Sequence, residues 1–171
     1  MVTNLPVAYI ALGANLPSVE HGTVQATLQA ALREIAGQGV SIRRCSSWWR
    51  SEPQPPSEQP DFINAVAEVS TSLTAEELLA LLHRIEADFG RRRQQRWEAR
   101  VLDLDLIDFG HEVREPGLTG ALVLPHPRMH ERLFVLLPLR EIAPAWRHPI
   151  SNLSVDALIS KAKPLKIKRN D

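Results

Sequence analysis

Residues 90–105 read GRRRQQRWEARVLDLD, and this stretch decides the fold and points to the chemistry. Arg91, Arg92, Arg93, Arg96 and Arg100 stand directly before Asp103 and Asp105. The run Val101–Phe109 is aliphatic, alternating and closed by Gly110, which predicts a strand. On a strand, residues two apart point to one face with their Cα atoms roughly 6.5 Å apart. Two carboxylates so placed repel each other. Divalent cations on a polyphosphate would resolve the repulsion, the carboxylates holding metal and the arginines holding phosphate oxygens. A solvated basic loop or a nucleic-acid patch beside water-facing aspartates is the competing reading. Taken alone, the stretch does not decide between them.

Moving outward, residues 74–77 read TAEE, a capping box with Thr74 as N-cap and Glu77 reaching back to it. The helix that follows buries Leu78, Leu82, Ile85 and Phe89, and Gly90 ends it. Before it, Asp61–Leu73 alternates as a strand, with Phe62, Asn64, Val66 and Glu68 on one face and Ile63, Ala65, Ala67 and Val69 on the other. Ser51–Pro60 holds Pro53, Pro55, Pro56 and Pro60 and is expected to be a loop. Val40–Arg50 reads as one strand and Val7–Leu12 as the first, closed by the turn Gly13–Pro17. Between them Val24, Leu28, Leu32 and Ile35 recur at helical spacing from about Glu20. A short helical segment is expected within Pro125–Leu139 and a last helix at Ser154–Ala162. The order is βαββαβ with helical additions, the split-βαβ, ferredoxin-like α+β arrangement. Four antiparallel strands covered by helices on one face would leave the other face free for a site.

Composition narrows the class. A chain of 171 residues, 44% hydrophobic and 23% charged, suits one domain over 1–171 with a genuine core. Formal net charge is zero, so no global field favours nucleic acid or an anionic membrane. The lone Cys45 cannot form an internal disulfide and reads as a small residue on a strand; a reducing cytoplasm is expected. No signal peptide or membrane span is apparent. The basic tail over 163–171 is expected to fray.

The segments AYIALGANL, SEP…QPDFINAV, RIEADFGRRR, RWEARVLDLDLIDFG and LPHPRMHERLFVLLPLREIAP together resemble the 6-hydroxymethyl-7,8-dihydropterin pyrophosphokinase family. The resemblance runs from about Val7 to Pro144. It implies a ferredoxin-like fold and transfer of the β,γ-pyrophosphoryl group of ATP to the hydroxymethyl group of a reduced pterin. AMP and the pterin diphosphate are the implied products, on the route to folate.

The resemblance also implies roles. Asp103 and Asp105 match the aspartates that hold two Mg²⁺ ions. Arg91, Arg93 and Arg100 match arginines on the triphosphate, with Arg96 on a mobile loop and Trp97 closing over the site. His126 and Arg132 match phosphate ligands, and Glu86 matches a residue lining the nucleotide side. Asn64 matches the residue at the pterin edge, and Phe62 and Phe134 match the two rings that sandwich it. Ser51, Pro53 and Gln54 match the wall of that pocket. Arg91, Arg100, Asp103 and Asp105 are thus the expected catalytic set.

The chain departs from the family pattern at several points. The arginine loop is one residue shorter between Arg93 and Arg96. Pro127 replaces a tyrosine, His83 a glutamine and Phe62 a tyrosine, and Pro116–Gly120 lengthens a turn.

The residue chemistry agrees with these roles. A flat polar heterocycle wants aromatic faces and edge hydrogen bonds, and Phe62 and Asn64 share one sheet face. Ser51–Pro60 and Arg91–Glu98 are candidate lids. The expected partners are ATP and a reduced pterin, with no nucleic acid and no membrane, and the expected state is a monomer. Two alternatives remain at this level, a ferredoxin-like RNA-binding module and a kinase that gives ADP. The lack of a GxxxxGK[ST] loop excludes a P-loop enzyme.

Overall fold

The apolar run Val7–Ala14 forms β1, an interior strand of the sheet in a computed structural model that describes residues 4–90, 99–117 and 121–170. Thr23 then starts α1 (Val24–Gly37), its side chain accepting from the Ala26 amide. The helix begins a few residues after Glu20 because Ser18 and Gly22 first close a tight turn through paired backbone bonds. Next come β2 (Ser41–Cys45), β3 (Trp49–Ser51) and β4 (Phe62–Ser70). The capping box opens α2 (Ala75–Asp88): Thr74 N–H donates to Glu77 Oε2 at 2.8 Å, and Glu77 N–H to Thr74 Oγ1 at 3.2 Å. Such a cap is worth about 1 kcal/mol. Gly90, at φ +87°, turns the chain out of that helix in a conformation costly for any other residue. The aspartate strand is β5 (Asp103–Phe109). A 3₁₀ turn (Met129–Glu131) leads into α3 (Leu133–Ile142), followed by α4 (Val155–Lys161) and β6 (Ile167–Arg169).

The strands form one antiparallel sheet of six, ordered β5-β1-β4-β3-β6, with β2 also on β4. Six strands stand where four were expected, and other expectations also need correction. The strand predicted over Val40–Arg50 is two strands. Ser46 interrupts it: the Ser46 hydroxyl accepts from the Val66 amide at 3.0 Å while Ser46 N–H donates to the Val66 carbonyl. Secondly, the tail does not fray where β6 pairs with β3, Arg169 opposite Trp49 and Ile167 opposite Ser51. An edge strand with open backbone groups offers the tail a ladder. Finally, Cys45, expected as a small apolar residue on a strand, does end β2 but faces solvent.

Helices cover both faces of the sheet, not one. Ile10, Leu12, Ile63 and Ala67 pack with Leu28 and Ile35 of α1 and Leu78 and Leu82 of α2. On the opposite face Tyr9, Val66 and Ile107 pack with Val135, Leu136 and Leu139 of α3 and with Val155 and Leu158 of α4. Each large aliphatic side chain so buried contributes about 1.5–3 kcal/mol. The second layer covers only part of its face. Where it stops, the sheet floor is open, and the site lies there.

Candidate active site

Strand register builds the floor. Asp103, Gly13, Asn64 and Trp49 stand opposite one another in a line across β5, β1, β4 and β3. One step along, Asp105 faces Ala11 and, beyond it, Val66. The alternation that buries Val66 and Tyr9 under α3 and α4 therefore turns Asp103, Asp105, Phe62 and Asn64 toward the uncovered end of the same face. Gly13 keeps that floor low. A Cβ built on it would stand 3.3 Å from Asn64 Oδ1.

A single cleft is lined by Ser51, Pro53, Gln54, Phe62, Asn64 and Phe134 on one side and by Arg100, Asp103, Asp105 and Arg132 on the other. Asn64 is 4% exposed. Its Nδ2 donates to Ser51 Oγ at 2.9 Å and to the Trp49 carbonyl at 3.3 Å, which aims its amide along the cleft wall. Phe134, at the start of α3, carries the Arg132 guanidinium 5.6 Å from its ring centroid. Ser51 closes β3 opposite Phe62, and the proline-rich segment begins from there.

The polar side is crowded with charge. Arg100 Nη1 donates to Asp103 Oδ2. Asp105 Oδ2 lies 3.4 Å from Arg132 Nη1 and 3.9 Å from His126 Nε2. His126 is placed there by its own backbone, which donates to the Ile107 carbonyl of β5 at 2.8 Å. Burial pushes the Asp105 carboxyl above the usual carboxylate range, and the Asp103 charge adds to this; His126, Arg132 and Arg100 oppose it. Burial lowers the His126 pKa, with Asp105 pulling it back up. Burial thus disfavours the Asp105 charge despite the cations beside it.

Glu86 stands behind β5. It is 2% exposed on the buried face of α2, and its Oε1 accepts from the Leu104 amide at 2.7 Å. It supports the outer edge of β5 from behind and is not among the described residues that line this cleft. The expected roles of Arg91, Arg93, Arg96 and Trp97 lie outside the described residues. The structure also brings in residues the pattern did not mark. Asn15, read only as a turn residue, binds Arg100 and the proline-rich segment. Gln59 lines the cleft. Neither has a local signal, since both are placed by contacts more than 40 residues away in sequence.

Fold and site define a ferredoxin-like α+β protein with an acid-and-arginine floor beside an aromatic slot. The chain belongs to the 7,8-dihydro-6-hydroxymethylpterin-pyrophosphokinase (HPPK) family, whose model matches residues 9–144, and that membership makes it a pyrophosphokinase. It is 43% identical over 155 residues to the 2-amino-4-hydroxy-6-hydroxymethyldihydropteridine pyrophosphokinase of Synechocystis sp., covering 90% of this chain and 75% of that protein. It is 40% identical over 164 residues to the enzyme of the same name from Haemophilus influenzae, covering 95% and 98% respectively. Among solved structures, Plasmodium falciparum HPPK-DHPS superposes with a TM-score of 0.69 over 92% of this chain. At 14% identity that likeness shows the fold, and the chain spans 44% of that longer protein.

Proposed function

We propose that this chain transfers the β,γ-pyrophosphoryl group of ATP to the hydroxymethyl oxygen of 6-hydroxymethyl-7,8-dihydropterin in folate biosynthesis. The observation that carries the reading is one cleft with an aromatic-and-amide slot at one end and a paired-carboxylate, arginine-flanked floor at the other. A flat heterocycle fits between Phe62 and Phe134 with its edge on Asn64. That pose directs a substituent alcohol toward Asp103 and Asp105. Arg100 and Arg132 are placed to hold phosphate oxygens, with His126 beside them. Arg91, Arg93 and Arg96 are proposed to contact the triphosphate, and Trp97 to close over the site against the pterin.

The residues fit Mg²⁺. Among the described residues no group of three or more His, Cys, Asp or Glu side chains is placed to hold a metal. Asp103 and Asp105 instead offer two carboxylates on one strand face in the cleft, and Mg²⁺ is commonly held by one or two carboxylates plus substrate phosphates and water. Bound there, two Mg²⁺ ions would supply Lewis-acid neutralisation of phosphate charge.

In the transfer the pterin alcohol oxygen forms a bond to the β-phosphorus. The bond from that phosphorus to the α,β-bridging oxygen breaks, its electron pair leaves with AMP, and the alcohol proton passes to solvent. No side chain is assigned as general base. Rate comes from alignment of the alcohol and from cationic groups preset around charge that shifts to the leaving oxygen. Exclusion of water by the two loops would prevent plain hydrolysis of ATP. The chain is proposed to act as a cytoplasmic monomer. Among the described residues no helix is long and apolar enough to cross a membrane.

A steady-state assay with ATP, Mg²⁺ and the pterin alcohol, resolving AMP from ADP, tests the reading. AMP formed only when the pterin is present supports it. ADP would make the protein an ordinary kinase, and neither product would remove the catalytic reading.

A further inference from the structure

The geometry points to Asn15 as a positioning residue that ties the pterin-side loop and the phosphate-side Arg100 into one register, an assignment that rests on the function proposed above. Asn15 lies one residue past β1 and is 2% exposed. Its backbone N–H and that of Leu16 both donate to the Arg100 carbonyl, at 2.9 and 3.1 Å. Its Oδ1 accepts from the Arg100 amide at 2.7 Å. Both main-chain polar groups of Arg100 are thereby held, just where the chain leaves the arginine-rich segment and enters β5.

The other end of the same side chain serves the other half of the cleft. Nδ2 donates to the Pro60 carbonyl at 3.1 Å and to Gln59 Oε1 at 3.2 Å. Pro60 stands two residues before Phe62, and Gln59 lines the cleft. The amide's orientation follows from chemistry: a backbone N–H only donates and a backbone carbonyl only accepts, so Oδ1 must face Arg100 and Nδ2 must face Pro60. No other side chain of this length offers an acceptor on one side and two donors on the other. Aspartate loses the donors, serine loses the reach, and glutamine is one methylene too long. A single buried amide thus sets the distance between the pterin slot and the guanidinium beside Asp103.

Asn15→Asp separates the two halves. It keeps an acceptor for Arg100 and turns an oxygen against the Pro60 carbonyl. The expected result is a KM for the pterin raised about tenfold or more, as for loss of the two part-buried bonds that Nδ2 donates, with the KM for ATP within threefold of wild type. Asn15→Ala frees Arg100 as well, so kcat falls too. A residue that only supports the fold would lower the melting temperature and the active fraction without splitting the two KM values. Thermal melting is recorded on each variant, and if Asn15→Asp is unfolded at assay temperature, Asn15→Ala carries the test through kcat and the pterin KM, both read per folded molecule and both expected to worsen. Equal changes in both KM values, or no change in either, overturn the assignment. A wild-type chain that forms no AMP sinks the underlying function, whereas an active wild type with unmoved KM values in the variants sinks this assignment alone.

Discussion

Glu86 Oε1 accepts a 2.7 Å hydrogen bond from the backbone amide of Leu104, the residue that separates Asp103 from Asp105. Among the described residues β5 pairs with β1 on one side only, and a buried carboxylate on α2 takes the place of a strand partner on the other. Glu86→Ala leaves that buried amide without its acceptor and is expected to cost about 1–3 kcal/mol of stability. It should also raise the Mg²⁺ concentration needed for half-maximal rate, because the aspartate pair is no longer held in register. Glu86→Gln keeps an acceptor and should recover most of both losses. Urea unfolding and a Mg²⁺ titration of activity check this; wild-type values for Glu86→Ala would refute it.

Asp105 is held protonation-prone by burial and by Asp103, so its ionised form works against folding in the free protein. Asp105→Asn should therefore keep or raise the melting temperature while reducing kcat by roughly 10²-fold or more. A variant that loses activity in proportion to lost folded protein would contradict the account.

Asn64 and Gly13 act as a pair on the cleft floor. Asn64→Ala removes the proposed edge contact with the pterin and should raise its KM about tenfold while leaving the KM for ATP near wild type. Gly13→Ala brings a Cβ to 3.3 Å from Asn64 Oδ1 and should shift the same constant in the same direction by a smaller factor. Steady-state kinetics on both variants would show this, and a change confined to the ATP constant would place the pterin elsewhere.

Tyr9 reports on the second core. Its hydroxyl donates to Glu68 Oε2 at 3.2 Å, and its pKa is pushed up to about 12 by burial first and by Glu68 next. An unfolded tyrosine titrates near 10, so between about pH 10 and 12 the unfolded chain binds fewer protons at this site than the folded one. The stabilisation is fully present below about pH 10 and is lost as pH rises through 12. Melting temperature should fall over that window in wild type, and more shallowly in Tyr9→Phe. Parallel curves would refute the link.

Local chemistry made much of this legible in advance. Thr74 and Glu77 announce α2 by side-chain geometry alone, and the alternation of residues 62–69 assigns each one its face. The aspartate pair reads directly as two carboxylates on one strand face. What escaped is what depends on distant chain. Ser46 splits a strand because its hydroxyl finds the Val66 amide, and β6 forms because Trp49 offers its edge to Arg169, 120 residues later. Glu86 sits among Leu82 and Ile85 on the buried face of α2, and a carboxylate there signals a buried partner without naming Leu104. Asn15 looks like any turn asparagine until Arg100 is folded against it.

The central claim is that two phosphates move together onto the pterin alcohol. ATP labelled in the β-phosphate and incubated with Mg²⁺ and 6-hydroxymethyl-7,8-dihydropterin tests it most directly. The account predicts that the β-label appears in the pterin product while AMP accumulates unlabelled. β-Label retained in ADP, with only the γ-phosphate transferred, would contradict it.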